Sequence, residues 1–171
     1  MDMNEDLKYT FDKVNDWLKF AEAKNAMLIG FNGVVMFGVF RIFKDELMGD
    51  FDFFKGYLIV AFIPMVFSFL LAVASFFPKT SKVAEESQVA PNADFVFFGH
   101  LKDMGVDNII KEYCRDNTVK PLDRNLASQI IQNSKIADKK FYLFKIACMC
   151  AFWSFAMLVF GSLFYFMISS T

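Results

Sequence analysis

The chain has one histidine, three cysteines, four prolines and almost no net charge, and each shortage closes a route. With His100 the single histidine, a zinc or di-iron cluster would need an unusual ligand set. No G-x-S-x-G, phosphate-cradling glycine loop or H-E-x-x-H occurs, so no catalytic constellation is visible. The reading is therefore of a chain that is not an enzyme and carries no cofactor and no metal. Cys114, Cys148 and Cys150 form no pairing framework; the last two lie one residue apart on different faces of one helix and read as reduced packing residues. A formal net charge of −1 gives no global reason to expect nucleic acid as a partner.

The most telling absence is charge within long runs. Tyr57–Phe77 and Ile146–Ile168, of 21 and 23 residues, contain none. As helices they reach about 31 and 34 Å, enough to cross a hydrocarbon core of about 30 Å. Ala26–Phe43 is interrupted only by Arg41 near one end, where an arginine can snorkel to the headgroups. The composition agrees: 56% of residues are apolar, yet 22% are charged, so the charges sit between the runs instead of breaking them. A soluble helical core would show a 3.6-residue alternation, whereas these runs are apolar all round. The first run follows a charged segment and no A-x-A-like site follows it, so it does not read as a cleavable signal.

Lysine and arginine set the expected topology. Lys8, Lys13, Lys19 and Lys24 precede the first run; Lys79, Lys82, Lys135, Lys139, Lys140 and Lys145 lie between the second and third. The short connection between the first two runs holds Lys44 and Lys55 against four acids, Asp45, Glu46, Asp50 and Asp52. The expected organisation is a cytoplasmic amphipathic helix (1–25), a span (26–43), an external loop (44–56), a span (57–77), a cytoplasmic segment (78–145), a span (146–168) and an external tail (169–171). Arg41 is the one dissenting charge.

Outside the spans, Leu7, Phe11, Val14, Leu18, Ala21 and Asn25 recur at three- and four-residue steps and stack on one helix face. No Gly or Pro separates them from the first span, so one continuous helix is expected. Pro121 suits a first helical turn, and no proline follows it as far as Ile168, so Leu126, Ile130, Ala137 and Phe141 should belong to a helix that runs into the last span. Pro78–Ala93 reads as a loop. Asp107 reads as the N-cap of a short helix through Arg115. The fold class is thus an all-α integral membrane protein with three transmembrane helices, the first and third extended into cytoplasmic helical stalks, plus a small helical cytoplasmic segment.

Within the membrane, Gly30 and Gly33 in the first span and Ser68, Ala72 and Ser75 in the second are expected to allow close helix packing. Pro64 is a candidate kink. Asn32 is the one strongly polar side chain deep in an apolar span, and a bond to a neighbouring helix is favoured over lining a water path. On the stalks, Arg124, Asn125, Gln129, Gln132, Asn133 and Lys135 are candidates to act together with Trp17 and Lys24. Amides can read base edges, a cation can hold a phosphate and an aromatic can stack a base. Composition alone favours a plain solvated face.

Three stretches, in order, resemble the transmembrane effectors of bacterial Pycsar defence systems. The first is Val14-Asn15-Asp16-Trp17-Leu18-Lys19-Phe20-Ala21-Glu22-Ala23-Lys24-Asn25-Ala26 leading into Leu28-Ile29-Gly30-Phe31-Asn32-Gly33. The second is Phe97-Phe98-Gly99-His100-Leu101, similar to the family's short aromatic-glycine motif. The third is Asp123–Lys140, with Leu126-Ala127-Ser128-Gln129-Ile130-Ile131 and Lys139-Lys140-Phe141. The resemblance implies an abortive-infection effector that answers a cyclic pyrimidine mononucleotide, cyclic CMP or cyclic UMP, made by a partner pyrimidine nucleotide cyclase. It would then impair the integrity of the cell inner membrane as a homo-oligomer in contact with membrane lipid. The ligand residues expected on this basis are Trp17, Lys24, His100, Arg124, Asn125, Gln129, Asn133 and Lys135. Two other readings stay open: a non-signalling structural subunit of a membrane complex, and a small ion channel.

Overall fold

The computed structural model describes residues 3–46, 53–77, 94–113 and 119–169. They form five helices: α1 (Met3–Glu46), α2 (Phe53–Ala74), α3 (Phe98–Leu101), α4 (Val106–Tyr113) and α5 (Pro121–Ser169). There is no strand among the described residues. Three helices are long and apolar enough to cross a membrane, within Glu5–Arg41, Phe54–Ala74 and Pro121–Phe164. The protein is an all-α integral membrane protein with three spans. The expected loop Pro78–Ala93 lies outside the described residues, as do 47–52 of the connection between α1 and α2.

The chain divides into two compact units: Met1–Ala23 with Pro78–Tyr142, and Lys24–Phe77 with Leu143–Thr171. Helices α1 and α5 contribute to both.

The first unit has an aliphatic core of Leu7, Val14, Leu101, Ile109, Ile130 and Ile131, among others. Along α5 the buried positions Ala127, Ile130, Ser134 and Ala137 follow three- and four-residue steps, the spacing that keeps one seam of a helix against a partner. Helix α4 begins at Val106, two residues earlier than an Asp107 N-cap implies, so Asp107 lies inside its first turn and is not the N-cap. Its carboxylate pairs instead with Arg124 of α5. Residues 114–118 lie outside the described part. Polar bonds tie the layers together. The Thr10 and Tyr113 hydroxyls are 2.8 Å apart, and Tyr113 donates to the Phe95 carbonyl at 2.8 Å. Burial raises the Tyr113 phenol above its ordinary value, partly offset by its bond to Thr10. Lys102 donates to Asp138 at 2.9 Å, and that bond raises the ammonium above its ordinary value against the opposing cost of burial.

The second unit is built the other way round. Its buried α2 positions, Leu58, Ala61, Met65, Ser68, Ala72 and Ser75, alternate three- and four-residue steps and are mostly small. Those of α5 are Ala147, Ala151, Ser154 and Leu158. Large apolar chains point outward: Met27, Phe37, Ile63, Phe152, Phe160 and Phe164 are each 60–75% exposed. Small residues inside and bulk outside is how helices pack when the surrounding solvent is as apolar as their own side chains. Gly161 lies where α5 receives the Tyr57 ring of α2, since a Cβ there would strike that ring. The Tyr57 hydroxyl then donates to the Met157 carbonyl at 2.6 Å.

Gly30 and Gly33 meet nothing within 4 Å of where a Cβ would stand. They face outward because the buried face of α1 is carried by Leu28 and Asn32, each two residues from Gly30 and so about 200° around the helix. Helix α2 ends at Ala74; Ser75 still bonds the Leu71 carbonyl, and Phe76 and Phe77 close the end with tighter turns. Pro64 sits inside α2 without ending it.

Candidate functional site

In the first unit the exposed chemistry concentrates around Trp17. Its ring meets Phe98 at 5.6 Å between centroids, Phe20 and Phe141 at 6.3 Å, and Phe97 at 6.4 Å. Phe98 stacks on Phe141 at 5.1 Å. The loop before α3 is folded to deliver these rings. Asp94 accepts from the Val96 amide, and the Asp94 amide donates to His100 Nδ1 at 2.9 Å. Gly99 leaves room for the Phe97 ring, which occupies the space of a Cβ. The cluster is not sealed: Trp17 is 37% exposed, Phe97 40% and Phe20 48%. Partly exposed rings form a surface on which a planar group can stack.

Two bonds fix how α1 and α5 align beside this cluster. Asn133 Nδ2 donates to Asn15 Oδ1, and Lys140 Nζ donates to Glu22 Oε1, both at 2.8 Å. Both pairs are 118 residues apart, so the two helices run parallel in constant register. That register sets Lys135 level with Trp17. Lys140 is nearly buried, while Glu22 remains half exposed.

The expected ligand residues are therefore only partly together. Trp17, His100, Asn133 and Lys135 fall on one level, with His100 against the Phe97 ring at 5.5 Å. Arg124 is committed to Asp107 and lies about 16 Å along α5 from Lys135. Asn125 and Gln129 are exposed on the same lower stretch of α5. Lys24 belongs to the second unit, where its ammonium sits 5.5 Å from the Phe144 ring centroid. Sequence reasoning left out Asn15, Glu22 and Lys140 as bonded partners. The signal was present: Glu22 opens an acid-x-Lys motif and Lys140 sits in Lys139-Lys140-Phe141, but neither indicates its partner.

In the second unit the polar groups form a buried seam. Asn25 Nδ2 donates to Ser75 Oγ at 2.8 Å, and Asn32 Nδ2 donates to Ser68 Oγ at 2.8 Å. Ser68 passes its own proton to the Ala147 carbonyl at 2.7 Å. Ser154 donates to the Ala61 carbonyl at 2.6 Å, three residues before the proline that cannot itself donate a helical bond. Asn32 thus bonds a neighbouring helix. A separate cavity of about 390 Å³ is lined by Val35, Leu58, Phe155, Leu158 and other apolar chains with only Ser162 polar, which suits hydrocarbon and not a charged ligand.

Fold and site together define a small three-span helical membrane protein with a partly exposed aromatic cluster and no group of three or more metal-ligating side chains among the described residues. The model of the Pycsar effector protein domain matches residues 6–167, and the chain belongs to that family of anti-phage effectors. It is similar to the Pycsar effector protein RsPycTM of a Rhizobium species, 28% identical over 154 residues covering 84% of this chain and 85% of that one. It is also similar to the Pycsar effector protein SaPycTM of Staphylococcus aureus, 21% identical over 164 residues covering 96% of this chain and 97% of that one. No solved structure matches significantly.

Proposed function

We propose that this effector binds a cyclic pyrimidine mononucleotide, cyclic CMP or cyclic UMP from a partner pyrimidine nucleotide cyclase, and responds by impairing the inner membrane. The observation that carries the reading is the half-open ring cluster around Trp17 with Lys135 on the same level. Trp17 and Phe97 offer stacking for the base, Lys135 a cation for the phosphate, and Asn133 and His100 hydrogen-bonding edges beside them. Arg124 and Asn125 are left outside one nucleotide's reach, Gln129 lies one turn, about 6 Å, from Asn133, and Lys24 acts separately, at the start of the first span. The lysine distribution supports placing the N-terminus and residues 78–145 in the cytoplasm, with 44–56 and 169–171 outside.

Binding shifts the parallel packing of α1 and α5, and both helices continue into membrane-spanning segments. Ligand drives the change only as far as it prefers the rearranged state. The active form is a homo-oligomer, and the outward Gly30 and Gly33 leave the first span room for a close neighbour.

The test is a thermal-shift series on the detergent-purified chain with cyclic CMP, cyclic UMP, cyclic AMP and cyclic GMP. One pyrimidine nucleotide should stabilise the protein in a concentration-dependent way, and Trp17→Ala and Lys135→Ala should each remove the shift. A shift that survives both substitutions would place the ligand elsewhere. No shift with any nucleotide would favour a structural subunit that senses nothing.

A further inference from the structure

Resting on the membrane-impairing reading above, we propose that the buried polar seam of the second unit is the path by which water and small monovalent cations enter the bundle. Asn32 Oδ1, midway along that seam, is the oxygen that takes them up.

Asn25 and Asn32 are seven residues apart, as are Ser75 and Ser68, and Ser68 and Ala61; on α5 the same interval separates Ala147 from Ser154. Seven residues are close to two helical turns, so each set lies along one face at intervals of about 10 Å. The side chains are almost fully enclosed: Asn25 1%, Asn32 0%, Ser68 0%, Ser75 4% and Ser154 0% exposed. The outward faces of the same helices carry large apolar chains such as Phe37, Phe67 and Phe160. Any parting of the helices along their inner faces therefore exposes a file of oxygens to the gap.

Asn32 makes this seam more than packing. Its amide nitrogen is used on Ser68, and Ser68 is used on the Ala147 carbonyl. Asn32 Oδ1 is buried and has no hydrogen-bond partner among the described residues. A buried acceptor left without a donor is unfavourable, so this position favours any arrangement that brings it water or a cation. With the amide nitrogen donating to Ser68, the free atom is the carbonyl oxygen, a lone-pair donor. Carbonyl, amide and hydroxyl oxygens are the groups that replace the hydration shell of monovalent cations, and the seam's side chains include no ammonium or guanidinium to attract anions.

The full-length protein in potassium-loaded liposomes, treated with cyclic CMP and separately with cyclic UMP, tests the proposal. Wild type should release potassium with one of them. Asn32→Leu should slow the initial release about tenfold, equivalent to about 1.4 kcal/mol, while keeping its ligand-induced thermal shift. Asn32→Asp should keep releasing and raise the cation-over-anion preference several-fold, a gain that misfolding does not produce. Release by Asn32→Leu at the wild-type rate, or an unchanged ion preference in Asn32→Asp, would overturn the seam as the path. A wild type that releases nothing with either nucleotide would overturn the membrane-impairing reading itself, and the seam's role with it.

Discussion

The two units use the same two helices with opposite rules. In the first, α5 hides Ile130 and Ile131 and turns Arg124, Asn125 and Gln129 outward. In the second, α5 hides Ala147, Ala151 and Ser154 and turns Phe152, Trp153 and Phe160 outward. The helical seam keeps its three- and four-residue rhythm throughout; what reverses is which chemistry is spent inside. Against water, burying apolar area drives association, so the large aliphatic chains go in. Against lipid that drive is absent, so small residues and short hydrogen bonds bring the helices together. A polar group outside the membrane is therefore ordinary, while one inside, such as Asn32, invites a functional explanation.

The comparison can be broken most forcefully from within the first unit. Ile130→Asp buries a carboxylate at a fully enclosed site and should cost about 4 kcal/mol or more, seen as loss of the cooperative thermal transition. An outward substitution tests the second unit. Phe160→Arg, 71% exposed at present, should cost about 2.5–3.5 kcal/mol of insertion free energy and reduce membrane-fraction yield. Gln129→Arg, also exposed on the same helix in the first unit, should change nothing measurable. If Phe160→Arg inserts as well as Gln129→Arg, the outward face of the second unit does not meet lipid. Next in size is Gly161→Leu, which must displace the Tyr57 ring and lose its bond to the Met157 carbonyl, costing about 1–3 kcal/mol in thermal stability.

The smallest effect is on pH. Tyr113 and Lys102 both have raised pKa values in the folded protein, from ordinary values of 10.0 and 10.5. Their contributions are complete below those values and fade as pH rises through the folded ones, so thermal stability should decline above about pH 10. Tyr113→Phe should flatten part of that decline. Unchanged pH dependence would mean that the phenol is not held neutral by burial.

Much of this architecture is legible from residue order. The uncharged runs Tyr57–Phe77 and Ile146–Ile168 announce spans by length alone, and the Leu7–Val14–Ala21 rhythm announces a helix with one buried face. The bond from Asn32 to another helix follows from the cost of an amide in hydrocarbon. The glycine spacing of the first span shows where close packing is possible and not which face turns inward. Gly161, which does permit close approach, carries no local pattern that singles it out. The ligand residues scattered because composition reveals nothing about register. Only the Asn15–Asn133 and Glu22–Lys140 bonds show that Trp17 stands level with Lys135 and well above Arg124.

The central claim is that a nucleotide recognised by the first unit opens the membrane through the second. The most direct measurement is membrane potential, followed with a voltage-sensitive dye, in bacteria expressing this chain with or without a pyrimidine nucleotide cyclase. The account predicts depolarisation only when both are present, and none when Trp17→Ala replaces the wild type at equal membrane abundance. Depolarisation without the cyclase, or undiminished by Trp17→Ala, would contradict it.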